Sequence, residues 1–233
     1  MLKELPGYIA ILFILTTIAT LAMLHLAVRR SPAYAAKSTS ILAGLLAWLL
    51  LQGVLSVNGI YKDTLSMPPK FLSAVLPPLV TMIILFATRS GRKFMDSLPL
   101  STLTWLNIVR IPVEIGLYWL FIHETIPQLM TFEGRNFDII SGITAPLIAW
   151  LGFARNKLSP KVILAWNIIC LLLVLNVVIH GVLSVPTPFQ QFAFDQPNIA
   201  VLYFPFIWLP AFIVPVVIFT HLVSIRQLVS GKR

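Results

Sequence analysis

Four polar side chains, Asn107, Arg110, Glu114 and Tyr118, stand three, four and four residues apart in an otherwise oily stretch. That spacing sets all four on one face of a helix. A guanidinium beside a carboxylate, with an amide and a phenol in line, is equipment for holding an anion or a strongly polar group, or for passing a proton. An Arg at the centre of a membrane helix costs about 2.5–3.5 kcal/mol even on lenient insertion scales, so it must face the bundle interior and find a partner. Glu114, one turn on, is within reach, although Arg ahead of Glu is the weaker order. Two readings compete: a buried ion pair that fixes helix packing, and an anion or proton site. Pro112 lies between the pair and cannot donate a backbone hydrogen bond. It should kink the helix and free the carbonyl of Ile108, for which the Arg110 guanidinium is a candidate donor.

Other polar residues gather at the expected outer ends of neighbouring spans. Gln52 and Ser56 are four apart with Asn58 following, and Asn176 and His180 are also four apart. With Glu114 and Tyr118 they could converge on a cavity open to the outside. The duller alternative is interhelical hydrogen bonding, worth about 0.6 kcal/mol per contact. The candidate ligand-binding set is therefore Arg110, Glu114, Tyr118, Asn107, His180, Asn176 and Gln52. Prolines 77, 78, 146, 205, 210 and 215 fall within apolar stretches, where kinks could open space between helices.

Several chemistries drop out. No lysine lies within an expected span, which excludes a retinal Schiff base. The four histidines, 25, 123, 180 and 221, form no HxxxH or HExxH pairing for a metal, and there is neither a G-x-S-x-G nor a glycine-rich phosphate loop. Cys170 stands alone, so no intrachain disulfide forms. No metal and no cofactor are expected, and no catalytic residue is assigned.

The elements that must position these residues follow from composition. The chain has 233 residues, 58% hydrophobic and 11% charged, far from the roughly 25% charged of a soluble domain. Seven stretches approach the about 20 apolar residues a span requires: 7–28, 40–61, 71–88, 98–122, 137–154, 162–183 and 199–223. The expected fold is all-α, one seven-helix transmembrane domain over residues 1–233. The first stretch is preceded by Lys3 and followed by small residues 33–36, like a secretory signal. It runs past the about 7–15 residues of a signal core and reads as a retained helix.

Charge orients the bundle. Of 17 Lys and Arg residues, twelve fall in the odd-numbered loops and the tail, with Asp96 as their only acid. The other side carries four bases against six acids, including Glu124, Glu133 and Asp138. By the positive-inside rule the N-terminus is outside and the C-terminus cytoplasmic. The formal +9 then marks a face toward anionic lipid, and no nucleic-acid partner is needed. Residues 53–57 (GVLSV) recur at 181–185, and the same offset of 128 residues carries Pro77 onto Pro205. This would make the bundle a 3+1+3 parallel repeat; chance matching in Leu- and Val-rich helices is the competing explanation.

The resulting expectation is a protein of a bacterial-type inner (plasma) membrane. It binds a small polar or anionic molecule in an outward-facing cavity, as transporter or sensor. A membrane enzyme acting on a lipid or isoprenoid through Glu114, and a non-catalytic scaffold subunit, are the alternatives.

Overall fold

The structure, a computed structural model, describes residues 5–231. Lys3, Glu4, Lys232 and Arg233, counted in the charge census, lie outside the described residues. Nine α-helices follow one another among the described residues: α1 (Gly7–Arg29), α2 (Ser38–Val57), α3 (Leu72–Ala87), α4 (Arg89–Asp96), α5 (Leu100–Leu106), α6 (Arg110–Ile122), α7 (Ile139–Ala149), α8 (Pro160–Leu183) and α9 (Val214–Val229). No strand occurs among them. Five helical stretches are long and apolar enough to cross a bilayer: Gly7–Arg29, Ala35–Val57, Leu100–Ile122, Pro160–Leu183 and Leu209–Val229. Helices α3 and α4 make a sixth if counted together across their 94° bend, and Ile139–Ala154 is shorter. The protein is thus all-helical with five to six candidate spans, consistent with an integral membrane protein.

Two expected spans differ from the observed helices. The last helical stretch starts at Leu209, ten residues later than the expected 199. Residues 200–202 form an isolated 3-10 turn, and the N–H groups of Ile199 and Ala200 turn to the Thr125 carbonyl, both at 3.1 Å. Pro205 and Pro210 explain the delay, because a proline withholds a donor and pushes its predecessor out of the α region. Pro77 lies inside α3 whereas Pro205 precedes the last helix, so the 128-residue offset does not pair like with like.

The expected third stretch, 71–88, is the helix α3, which ends at Ala87 and passes as a span only together with α4. Thr88 is extended, and its hydroxyl accepts the Gly91 N–H at 3.1 Å, capping α4. Arg92 donates to the orphan carbonyls of Phe86 and Ala87 at 2.9 and 2.8 Å, closing α3. A Cβ on Gly91 would lie 2.3 Å from the Leu85 carbonyl oxygen, so the chain can fold back here only on a glycine. Arg226 of α9 holds Asp96 through two hydrogen bonds of 2.9 and 3.2 Å. Gln227 donates to the carbonyls of Met95 and Leu98 at 2.7 and 2.8 Å. These contacts stitch α4 to α9 at the end of the molecule that carries Arg29, Lys37, Arg89 and Arg155, called here the basic end.

Helix α9 is the most enclosed element, packed against α8 and α5, while α1 lies along α5 and α6. In α1, Thr16, Thr17 and Thr20 return their hydroxyl hydrogens to carbonyls one turn back, so they are accommodated in an apolar span without outside partners. Helices α2 and α3 are outlying. Each leans on the π-turn Leu209–Ile213 that leads into α9, and they make little contact with each other. Leu50 and Ile83 are 68% and 67% exposed, as suits faces turned to hydrocarbon.

Candidate functional site

Arg110 opens α6, directly after a 3-10 turn (Asn107–Val109) that breaks the stretch Leu100–Ile122. Ten residues of rise from Leu100 put it about 15 Å from the basic end. Cys170 in α8 and His221 in α9 lie at similar depth in their own helices. The guanidinium is 2% exposed and uses four of its five N–H groups. It grips Asp138 bidentately, through Nε to Oδ2 at 2.7 Å and through Nη2 to Oδ1. Nη2 also donates to the Cys170 carbonyl at 3.1 Å, and Nη1 to His221 Nε2 at 3.1 Å.

This corrects two expectations. The ion-pair partner of Arg110 is Asp138, not Glu114, and the guanidinium goes to Asp138, Cys170 and His221 instead of the Ile108 carbonyl. Asp138 was counted as a loop charge because an apolar run begins just after it. The loop 123–138 instead dips into the bundle, and α7 starts at the depth of Arg110. Gly142 makes this approach, since a Cβ there would sit 3.0 Å from the Ile111 nitrogen and 3.2 Å from Arg110 Cβ. With α7 this close, Asp138 at its head meets the guanidinium.

The network extends in both directions. A guanidinium only donates, so His221 Nε2 accepts; Nδ1 then carries the hydrogen and donates to Asn167 Oδ1 at 2.9 Å. Asn167 passes its own N–H to the Ile163 carbonyl. On the other side, Asn136 Oδ1 accepts the Asp138 backbone N–H at 2.9 Å, in an Asx turn. Its Nδ2 serves both Glu114 oxygens at 2.7 Å and the Met130 carbonyl at 2.9 Å. Glu114, Asn136, Asp138, Arg110, His221 and Asn167 thus form one buried polar chain through α6, α7, α8 and α9. It holds two carboxyl groups and a single guanidinium, which pairs with Asp138 and not with Glu114.

The remaining predicted residues lie elsewhere. Asn107 points to α9, donating to Leu103 O at 3.0 Å and Thr220 Oγ1 at 3.3 Å. Tyr118 stacks on Phe132, with ring centroids 4.9 Å apart. Asn176 donates to the Arg135 carbonyl at 2.8 Å, and His180 Nδ1 sits 2.8 Å from the Asn176 carbonyl. Gln52 is buried and accepts from the Tyr61 hydroxyl at 2.5 Å. Of the seven, the structure brings Arg110 and Glu114 into one network, while Asn176 ties α8 to the loop 123–138 and His180, one turn on, lies against Phe192 with ring centroids 5.2 Å apart. Gln196 joins the two long loops at this end, donating to the carbonyls of Phe121 and Ile126 at 3.2 and 2.6 Å.

Asn136, Asp138, Asn167 and His221 were not singled out from the sequence. Asn136 and Asp138 stand two apart, immediately before an apolar run, which is a signal for an Asx turn at a helix start. His221 stands two residues before the expected end of the last span at 223, whereas α9 continues to Val229, six residues further.

A cavity of about 620 Å³ lies away from this network. Its walls come from α1, α2, α3 and the start of α9, and they are overwhelmingly apolar, with Leu45, Met82 and Phe212 among them. Trp48 closes one side, its Nε1 held by the Ala211 carbonyl at 2.9 Å. Thr81 returns its hydroxyl hydrogen to the Pro77 carbonyl within α3 at 2.8 Å, and the remaining polar side chains gather at the basic end, where Lys37, Thr88 and Ser90 form a rim and Tyr34 bridges to the Ser90 carbonyl at 3.2 Å.

Over residues 70–229 the chain matches the family described as a domain of unknown function, DUF8737, and it belongs to that family. The match runs from just before α3 to the end of α9 and contains the whole polar network. Helices α1 and α2, which complete the cavity, lie outside it. No curated protein and no solved structure matches the chain.

Proposed function

We propose that this is an integral membrane protein that binds a small amphiphilic molecule between its helices, as a transporter or sensor, with its basic end in the cytoplasm. The observation that carries this reading is the apolar cavity whose charged group and most of whose hydroxyl groups stand at one rim. At about 620 Å³ it falls within the roughly 300–1,000 Å³ of small-molecule sites. The orientation rests on the positive-inside rule. Seven segments enter the bilayer, α7 as a short one and α3 with α4 as a broken one. The Arg110 network then acts as the keystone of the bundle, since a free anion would have to displace Asp138 to reach the guanidinium.

The test is native mass spectrometry of the gently solubilised protein. Thr81 is exposed and lines the cavity, so Thr81→Trp fills it from the surface side. Loss of a co-purifying molecule in Thr81→Trp, at unchanged melting temperature, supports the reading; retention of that molecule overturns it.

A second reading places a polar ligand or a proton at the Arg110 network. It is favoured by Glu114, whose oxygens accept only from Asn136 among the described residues. Loss of binding in Glu114→Gln but not in Thr81→Trp would support it.

A further inference from the structure

Resting on the cavity reading above, we propose that the occupant is an anionic glycerophospholipid of the bilayer, which slides one acyl chain in sideways between α2 and α3 and leaves its phosphate at Lys37. Three observations lead there. Helices α2 and α3 bound the cavity yet barely touch each other, so the space opens toward hydrocarbon through their gap. Pro77 and Pro78 lie on the α3 side of that gap, where the absent backbone donors leave the helix less tied to its own preceding turn. At the basic end the rim supplies one cationic side chain, Lys37, which lies over the Tyr34 ring at 5.9 Å and makes no salt bridge among the described residues.

Charge complementarity selects the headgroup. Arg92 at the same end is spent on the carbonyls of Phe86 and Ala87, and Arg226 on Asp96, so Lys37, the cation in the cavity lining among the described residues, is the one placed to meet an incoming anion. Thr88 and Ser90 add hydroxyl groups beside it. A neutral or zwitterionic amphiphile would fit the apolar walls equally but would gain less at the rim. The chain-binding and head-binding parts of the site come from different elements, so they can be tested apart.

Trp48 in the cavity wall is the reporter. The full chain is reconstituted in vesicles of equal parts phosphatidylglycerol and phosphatidylcholine, with mid-chain bromines on one lipid or the other. Trp48 emission is taken as the difference between wild type and Trp48→Phe, and Trp150, 47% exposed in the π-turn that follows α7, is followed likewise through Trp150→Phe. Brominated phosphatidylglycerol should quench Trp48 about fivefold more than brominated phosphatidylcholine, the discrimination expected of one lysine at a membrane surface. Lys37→Gln should bring that ratio to about one and leave the ratio at Trp150 unchanged. Strong, equal quenching of Trp48 by both lipids overturns the headgroup assignment and leaves the cavity reading intact. Absence of Trp48 quenching by either lipid overturns the lipid assignment. If the Thr81→Trp comparison also shows no displaced molecule, the cavity reading falls with it.

Discussion

Asp138 presents both carboxylate oxygens to the Arg110 guanidinium from the head of α7, 28 residues along the chain and on a different helix. A long loop and a short helix are thereby fastened to the middle of α5–α6. Breaking a buried pair by removing one partner leaves the other charge uncompensated, at a cost of about 3–5 kcal/mol. Asp138→Asn and Arg110→Gln should each lower stability by that amount in a detergent melt or a reversible unfolding titration. Replacing both with apolar residues of similar volume, Arg110→Met with Asp138→Leu, should recover most of the loss.

Glu114 differs from Asp138 in having an amide, not a guanidinium, against its oxygens. Glu114→Gln keeps the shape and removes the formal charge. It should change stability by no more than about 1 kcal/mol, in contrast to Asp138→Asn measured beside it. Loss of several kcal/mol in Glu114→Gln would show that the ionised carboxylate itself holds the bundle together.

The chain turns through 94° at Thr88, between α3 and α4, and Gly91 in the first turn of α4 packs against the end of α3. Its missing Cβ would lie 2.3 and 2.5 Å from the carbonyl oxygen and Cα of Leu85, atoms that cannot rotate away. Gly91→Ala should destabilise by about 1–3 kcal/mol and increase the separation of spin labels placed on α3 and α4. An unchanged distance and melting point would mean that the backbone at the bend yields without cost.

Outside the spans, Asp63 accepts from Lys70 at 2.7 Å on an exposed loop. That hydrogen bond, aided by the ammonium charge, holds the Asp63 carboxyl below its ordinary value. A depressed folded value means the contribution is present above the unfolded pKa, about 3.9, and is lost as pH falls through the lower folded value. Lys70→Ala should raise the Asp63 carboxyl titration midpoint, followed by carbon NMR, toward that ordinary value. A midpoint unmoved by the substitution would assign the shift to other groups.

Hydropathy located most of the helices, because a membrane span announces itself by length alone. Five of seven expected stretches coincide with long apolar helices, the last of them only after its start moves from 199 to Leu209. Where helices break, the cause is local chemistry that hydropathy averages away: the Thr88 cap, the Gly91 contact, the Pro205 and Pro210 restrictions. The importance of Arg110 was legible from its type and depth. Its partner was not, since helical spacing favours Glu114 and nothing in a one-dimensional pattern shows that Asp138 descends to the same level. Asn176 and His180 did prove neighbours through their spacing of four, but the structure sets Asn176 on the loop 123–138 and His180 against Phe192, apart from Arg110. The apolar cavity leaves no trace in spacing at all, because its walls are ordinary span residues brought together by helices that diverge.

The shortness of α7 has a consequence for the surrounding bilayer. Ile139–Ala154 rises only about 24 Å, against roughly 30 Å of hydrocarbon. Ile140, Ile143 and Leu147 nevertheless turn outward along it, each more than half exposed. On this side of the molecule the lipid tails must compress or disorder to match a shorter apolar wall, while the long faces of α2 and α8 impose no such demand. A bilayer around the protein would therefore meet apolar walls of unequal height, lower along Ile139–Ala154 than along α8.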